Sequence, residues 1–235
     1  MTITNEIRAR MRELADDERA HVLQRFFKTG PGEYGEGDLF LGITIPELRK
    51  LAKQYRSVKL EETLSLLRSP YHEERVLALL MLIQAYSKGD EPLKEEIYGL
   101  YLKNTRFINN WDLVDLSAPR IVGDFLLTRS REPLYTLARS DSLWERRISI
   151  MATFQFIKRS DYFDCLKISE MLLKDREDLI HKAVGWMLRE IGKSDLEVEE
   201  SFLREHYRLM PRTMLRYAIE RFPEPKRQMY LKGRV

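Results

Sequence analysis

The chain contains 235 residues, with 40 lysines and arginines against 37 aspartates and glutamates, so its formal charge is +3 with neutral histidines. This length allows one or two domains and a continuous hydrophobic core. Hydrophobic residues form 43% of the chain and charged residues 33%, which excludes a disordered polyelectrolyte. The longest apolar run, Val76–Ile83, is shorter than the roughly 20 residues of a membrane-spanning helix, so no membrane partner is expected.

The amino-terminal stretch and the cysteine content predict a cytoplasmic protein. The amino-terminal stretch MTITNEIRARMREL mixes charges with single apolar residues and is not expected to be a signal peptide. The only cysteine, Cys165, cannot form an internal disulfide, as is usual in a reducing compartment. Its position in the amphipathic stretch 162–173 predicts a packed residue rather than a catalytic thiol.

Apolar residues recur at intervals of three and four along nearly the whole chain, which predicts helices and no sheet. Two helices are expected at 4–14 and 17–28, followed by the glycine-rich loop 29–38. Thr44, Pro46 and Glu47 then form a helix-start pattern, which predicts a helix to about residue 55. Further helices are predicted at 60–68, 71–87, 91–103, 112–127, 133–139, 142–158, 161–173, 177–193, 195–208 and 212–222.

Four of these helices share an amphipathic pattern at a regular spacing. Aligned at Arg75, Asp112, Arg147 and Lys182, they are separated by 37, 35 and 35 residues. Such a period is typical of a repeated helix–turn–helix unit. The sequence therefore predicts an all-α superhelix of HEAT-like repeats that forms a single domain over residues 1–235, with ligands bound on its concave face.

The charge is unevenly distributed along the chain. Residues 203–235 contain nine basic and three acidic residues, a net charge of +6. Clustered cations favour a polyanion such as nucleic acid, because binding releases its counterions. The alternative is that these side chains only solvate the last helices.

Two motifs that suggest small-molecule or metal sites are unconvincing. The stretch Gly30–Gly35 matches GxGxxG, but it follows a helix, contains a proline and carries acidic residues where a pyrophosphate would bind. We expect a flexible surface loop near the entrance for DNA or another partner. His21, His72, His181 and His206 lie too far apart in sequence for a metal site, and no nucleophile elbow or P-loop lysine is present.

The segment NNWDLVD (109–115) has a more informative pattern. On a helix, Trp111 and Asp115 share one face, and an aromatic ring beside a carboxylate favours a cation. A nearby arginine would suit a phosphate. Taken alone, the tryptophan is more typical of a core position, the aspartate of a first helical turn and the arginine of a solvated surface, so only the combination suggests a site. The next two repeats contribute Trp144, Arg146, Arg147 and Trp186.

Four stretches, DLFLGITIPELRKL (38–51), NNWDLVD (109–115), LWERRISI (143–150) and LIHKAVGWMLREIGK (179–193), resemble the AlkD family of bacterial DNA glycosylases. These enzymes remove positively charged alkylated purines from DNA. The resemblance extends in order over about residues 20–220. It implies a C-shaped array of HEAT-like helical pairs whose concave side holds duplex DNA.

The resemblance also implies an activity and its residues. The catalytic carboxylate corresponds to Asp115, the two site aromatics to Trp111 and Trp186, and the basic residue to Arg147. The implied reaction is hydrolysis of the N-glycosidic bond of 3-methyladenine or 7-methylguanine in duplex DNA, by a monomer without cofactor or metal. Additional DNA contacts are expected from Arg146, Lys182, Arg212 and Arg216.

Two other functions stay open at this point. A helical-repeat protein can serve as a protein-binding scaffold, although a carboxylate beside Trp111 has no evident use there. A related protein can also bind distorted or branched DNA without breaking a bond. The presence of both Asp115 and Arg147 favours the enzyme over this binder.

Overall fold

A computed structural model describes residues 2–235, and every regular element within that range is a helix. The predicted all-α architecture of helical repeats is thus confirmed. The chain divides into two compact units, the first ending at Ser117 and the second running from Ala118 to Val235. The single domain expected from the repeat pattern stays a prediction. Among the described residues, no helix combines the length and the apolar character needed to cross a membrane.

Four helices of the first unit start at side-chain caps. Thr2, Asp16 and Asp90 each accept a hydrogen bond from the backbone N–H three residues later. At the next start, Glu47 accepts hydrogen bonds from both the backbone N–H and the hydroxyl of Thr44. The helices are α1 (Ile3–Glu13), α2 (Asp17–Phe26), α3 (Ile45–Gln54), α4 (Leu60–Leu67), α5 (His72–Lys88), α6 (Glu91–Lys103) and α7 (Trp111–Ala118), with a 3-10 turn at Thr105–Phe107.

Helix α5 forms the centre of this unit and packs against α3, α4 and α6. It is buried around most of its circumference, which explains the continuous apolar run in its sequence. Its charged first turn is buried too, and its carboxylates are paired. Glu73 accepts the backbone N–H groups of Leu41 and Gly42 at 2.9 and 2.8 Å, and Glu74 pairs with Arg8 at 2.9 Å.

The second unit is arranged around helix α12. It contains a π-helical turn at Pro119–Gly123, a 3-10 turn at Leu126–Thr128, and helices α8 (Glu132–Ala138), α9 (Leu143–Ala152), α10 (Phe154–Ile157), α11 (Phe163–Met171), α12 (Asp178–Ser194), α13 (Leu196–His206), α14 (Arg212–Ala218) and α15 (Glu224–Leu231). Helix α12 packs against α9, α11, α13 and α14. Its contact with α14 depends on Gly185, where a Cβ atom would lie only 2.4 Å from the carbonyl oxygen of Met214.

Three predicted helices differ in detail from the structure, and one helix was not predicted. The range expected to be helical at 112–127 is helical, but its type changes: the α-helix ends at Ala118, before Pro119, which has no N–H for the helical ladder, and a π turn and a 3-10 turn follow. The helix expected at 142–158 is interrupted at Thr153, whose hydroxyl donates to the carbonyl of Ile150 at 2.6 Å. The helix expected at 212–222 ends at Ala218 and continues as a 3-10 turn, Ile219–Arg221. Helix α15 was not predicted.

Candidate functional site

Trp111 and Asp115 lie one turn apart at the start of α7. The backbone N–H of Trp111 donates to the side-chain oxygen of the buried Asn110 at 2.8 Å, which fixes the first residue of the helix. Leu113 and Val114 face the core and are fully buried. Trp111 and Asp115 are both partly exposed, so this helix presents an aromatic ring and a carboxylate on one accessible side.

The indole of Trp111 rests on a group of aromatic side chains. It stacks on Phe27, with ring centroids 5.4 Å apart, and meets the edge of Phe26 at 6.0 Å. Phe27 in turn stacks on Phe40 at 5.2 Å. Phe27 is 7% exposed and Phe26 is 61% exposed, so the indole is supported from the core and flanked by an accessible ring.

A buried polar network lies against these rings. We call Asp38, His72, Arg75 and Asp112 the His72 network. The imidazole of His72 is stacked on Phe40 at 4.7 Å. Its Nε2 atom lies 2.8 Å from Oδ2 of Asp112, and its Nδ1 atom lies 3.4 Å from Oδ2 of Asp38. The same Asp38 oxygen pairs with the guanidinium of Arg75 at 2.7 Å.

The electrostatics of the His72 network favour a protonated imidazole. Burial opposes the charged ring, but the hydrogen bonds to Asp112 and Asp38 outweigh it and raise the pKa of His72 above its usual 6.5. The pKa of Asp38 is lowered in spite of burial, because His72 and Arg75 both stabilise the carboxylate. When His72 is protonated, the positive charges of His72 and Arg75 balance the negative charges of Asp38 and Asp112.

The His72 network was missed by sequence reasoning. His72 and Asp112 are 40 positions apart and belong to different repeats, so no local spacing relates them. The only sequence signal was Asp112, which lies between Trp111 and Asp115 in the NWDLVD motif. This aspartate contacts His72 and lies within the turn of α7 that separates Trp111 from Asp115.

Asp115 is within electrostatic reach of a buried tyrosine. The hydroxyl of Tyr101 is 2.9 Å from that of Ser117 on α7. Burial raises the pKa of Tyr101 far above its usual value, the hydrogen bond to Ser117 opposes this, and the charge of Asp115 raises it further. Tyr101 therefore stays neutral beside the Asp115 carboxylate.

In the second unit, the two arginines at the start of α9 are engaged with the protein. Arg147 is 4% exposed, and its Nη1 atom donates to the carbonyl of Leu179 at 2.5 Å. Arg146 pairs with Asp175 at 2.6 Å and also donates to the carbonyls of Ser140 and Asp141. Both arginines thus connect the start of α9 to the chain just before and within the first turn of α12.

Helix α12 presents a second aromatic residue among charged neighbours. Lys182 pairs with Asp178 at 2.7 Å, and the indole N–H of Trp186 donates to Glu190 at 2.8 Å. These four residues are spaced by four and lie along one side of the helix. The predicted DNA contacts of α14, Arg212 and Arg216, are also four residues apart, and both are exposed.

Two backbone donors of the glycine-rich loop are engaged by carboxylates of the same loop. The N–H of Gly30 donates to the carboxylate of Glu33 at 3.0 Å, and the N–H of Gly32 donates to that of Glu36 at 2.9 Å. These two N–H groups already donate to glutamates of the loop, which argues against a nucleotide site there. In the part of the chain that the structure describes, no three His, Cys, Asp or Glu side chains cluster as a metal site would require.

Cys165 is confirmed as a packed residue. It is fully buried on α11. Burial raises the pKa of its thiol to about 12. The thiolate that a nucleophilic cysteine requires is therefore scarcely populated at neutral pH.

Comparisons with known proteins identify the family. The family model described as DNA alkylation repair enzyme matches residues 7–222, nearly the whole chain. A solved structure described as a predicted DNA alkylation repair enzyme from Enterococcus faecalis shares 17% identity and a TM-score of 0.69, over 89% of this chain and 97% of that one. At this identity the likeness shows the fold alone. Among curated proteins, no sequence matches significantly. The chain belongs to the family of DNA alkylation repair enzymes.

Proposed function

We propose that this protein is a DNA glycosylase that hydrolyses the N-glycosidic bond of cationic N3- and N7-alkylated purines, such as 3-methyladenine and 7-methylguanine, in duplex DNA. One observation supports this most directly. In a DNA alkylation repair protein, Trp111 and Asp115 form an accessible aromatic and carboxylate pair on one side of α7. Such a pair suits a reaction centre that is positively charged.

The chemistry needs little general acid catalysis. Alkylation at N3 or N7 gives the base a positive charge, so the base leaves with the electrons of the glycosidic bond and becomes neutral. Positive charge then develops on the deoxyribose, and a carboxylate near that sugar lowers the barrier electrostatically. In our proposal Asp115 has this role and orients the water whose oxygen attacks C1′, while the proton of that water passes to solvent.

The aromatic residues are proposed to bind the lesion nucleotide. The face of an indole ring attracts a cation through its quadrupole. Trp111 is held by Phe27, so its ring is preorganised for the cationic sugar. Trp186 is proposed to contact DNA in the same manner, with its N–H engaged by Glu190.

Basic residues are proposed to bind the phosphate backbone. Arg212 and Arg216 are exposed and suited to contacts that do not depend on sequence. Lys182 would leave its ion pair with Asp178 to pair with a phosphate. Arg146 would donate hydrogen bonds to a phosphate and to Asp175 at the same time. Arg147 has five N–H donors, so a phosphate contact is compatible with its hydrogen bond to Leu179, but it requires local opening around this buried side chain.

We further propose that the protein is a monomer and that it acts in the cytoplasm, on the DNA of the nucleoid.

The test is release of 7-methylguanine and 3-methyladenine from methylated duplex DNA by the intact protein and by Asp115→Asn. The substitution keeps the shape of the side chain and removes its charge. We expect the first-order release rate to fall by at least about 100-fold, while the affinity for the duplex is unchanged. Asp90→Asn is the matched control, because asparagine caps a helix as well as aspartate does and α6 should be unaffected.

Three results would contradict the proposal in different ways. Release of base at the same rate by Asp115→Asn would remove Asp115 from the mechanism. Binding of duplex without any base release by the intact protein would favour a non-catalytic protein that recognises distorted or branched DNA. Absence of both binding and release would favour a protein-binding scaffold.

A further inference from the structure

The His72 network joins three segments that are distant in sequence. Asp38 closes the glycine-rich loop, His72 is the first residue of α5, and Asp112 is the second residue of α7. The ring of His72 is 2% exposed, with a hydrogen-bond partner facing each of its nitrogens. A buried imidazole with both nitrogens engaged has a fixed orientation.

Two routes of contact lead from His72 to the accessible side of α7. The first is the 2.8 Å hydrogen bond from Nε2 to Asp112, whose other carboxylate oxygen accepts the N–H of Leu113 in the first turn. The second is a series of stacked rings in which His72 contacts Phe40 and Phe27, and Phe27 contacts Trp111. Both routes end at the turn that presents Trp111 and Asp115.

We infer that His72 is a positioning residue for base excision: through Asp112 and the stacked rings it fixes the first turn of α7, and with it the indole of Trp111 and the carboxylate of Asp115. This inference rests on the proposed function. A misplacement of about 1 Å in a catalytic group is enough to slow a reaction by about 100-fold, so a residue that sets this position affects the rate without touching the DNA.

The charges around His72 agree with this role. The charged groups that face it are Asp38, Asp112 and Arg75. Asp112 is engaged with His72, and the proposed role at the cationic sugar falls to Asp115. If the ring loses its proton, Arg75 can donate to Nδ1 across 3.5 Å and the Nε2–H bond to Asp112 persists. The positioning contact is therefore expected to survive at mildly alkaline pH.

The first arm of the test measures single-turnover release of 7-methylguanine together with the affinity for the same duplex. His72→Phe keeps an aromatic ring in the stack and removes both hydrogen bonds, and Asp112→Ala removes the partner on α7. We expect each to slow release by about 10- to 100-fold with affinity changed less than about twofold. The double variant should be no slower than the slower single variant, because both act through one contact.

Two further variants separate positioning from a general effect on folding. His72→Gln retains an N–H donor that can reach Asp112 and should recover part of the rate lost in His72→Phe. His21→Gln is the matched control, since His21 is an exposed histidine on α2, and it should release base at the rate of the unaltered protein. Rates of His72→Phe and Asp112→Ala equal to the unaltered protein, or multiplicative losses in the double variant, would overturn the inference.

A second arm does not depend on base release. The indole N–H signal of Trp111, assigned with Trp111→Phe, is followed by nuclear magnetic resonance in His72→Phe and Asp112→Ala. We expect a shifted signal and faster hydrogen exchange in both variants. An unchanged Trp111 signal would overturn the inference even if the enzyme is active. If the intact protein releases no base but the signal shifts as expected, the proposed function fails while the structural contact from His72 to α7 stands.

Discussion

The ring of Phe27 lies nearly parallel to the indole of Trp111, with an interplanar angle of 24° and a centroid separation of 5.4 Å. Phe27 also stacks on Phe40 and contacts the ring of His72. One phenylalanine thus connects a hydrophobic cluster of the first unit to the indole of Trp111 on α7. Its neighbour Phe26 has the same side chain and is mostly exposed, which provides a natural comparison.

Replacement of Phe27 by alanine is expected to lower the free energy of unfolding by about 3 kcal/mol, because a buried ring is removed and a cavity is left. The matched change Phe26→Ala removes the same atoms from a largely solvated position and should cost less than about 1 kcal/mol. Urea unfolding followed by circular dichroism and tryptophan fluorescence measures both. Equal losses in the two variants would contradict the packing role of Phe27.

Gly185 provides a test of the contact between α12 and α14. A Cβ atom there would meet the carbonyl oxygen of Met214 at 2.4 Å and the Cβ atom of Tyr217 at 2.5 Å, both too close for ordinary contact. We expect Gly185→Ala to cost about 2 kcal/mol of stability through overpacking. In Gly99→Ala on α6, the new Cβ atom meets nothing within 4 Å, so higher helix propensity should stabilise the protein by up to about 1 kcal/mol. Thermal unfolding measures both effects: the melting temperature should fall in Gly185→Ala and rise in Gly99→Ala.

Glu199 on α13 should make stability depend on pH. Burial, and then the nearby charge of Glu200, raise the pKa of the Glu199 carboxyl to about 8, and Arg189 opposes this. Its Oε1 atom is buried without a hydrogen-bond partner among the described residues. The folded protein therefore keeps a proton that the unfolded chain releases, so the free energy of unfolding falls as the pH rises from about 4.5 to about 8.

We expect Glu199→Gln to remove this fall, which amounts to about 4 kcal/mol across the interval. The exposed Glu197 on the same helix is the matched position, and Glu197→Gln should retain the pH dependence of the unaltered protein. Urea unfolding at several pH values between 5 and 8.5 provides the measurement. If the free energy of unfolding of Glu199→Gln still falls with pH, a group other than Glu199 causes the pH dependence.

Arg212 and Arg216 should contribute to DNA affinity through the phosphate backbone. Each phosphate contact releases counterions, so conversion of both arginines to glutamine should lower the slope of log affinity against log salt by about one unit per arginine. The loss should be similar for alkylated and unmodified duplexes. Arg10→Gln on α1 removes an arginine that is ion-paired with Glu13 and serves as the control. Fluorescence anisotropy over a series of salt concentrations measures the slope, and an unchanged slope would contradict the assignment.

The parts of the fold that depend on local chemistry were predictable from sequence. Caps such as Thr44 with Glu47, and the three-to-four spacing of apolar residues, set most helix limits to within a few positions. Helical periodicity alone also predicts that Trp111 and Asp115 lie on the same side of α7. The break of the helix at Pro119 was visible in principle, because proline removes a backbone donor.

The features that depend on tertiary contacts were not predictable. The engagement of Arg147 with the carbonyl of Leu179 joins residues 32 positions apart, and a basic residue near a helix start gives no sign of burial. The pairing of His72 with Asp112 spans 40 positions. Both arise where separate helical repeats pack together, and a single sequence contains no record of which side chains meet there.

The burial of Cys165 has a consequence for a member of a DNA alkylation repair family, because alkylating agents also react with proteins. Such agents react with thiolates, and a thiol with a pKa of about 12 is ionised in only about one molecule in 10⁵ at pH 7. Because Cys165 is the only cysteine in the chain and is buried, the folded protein does not expose a thiol to these electrophiles. A repair protein built in this way is protected from inactivation at a thiol by the same compounds whose damage to DNA its family repairs.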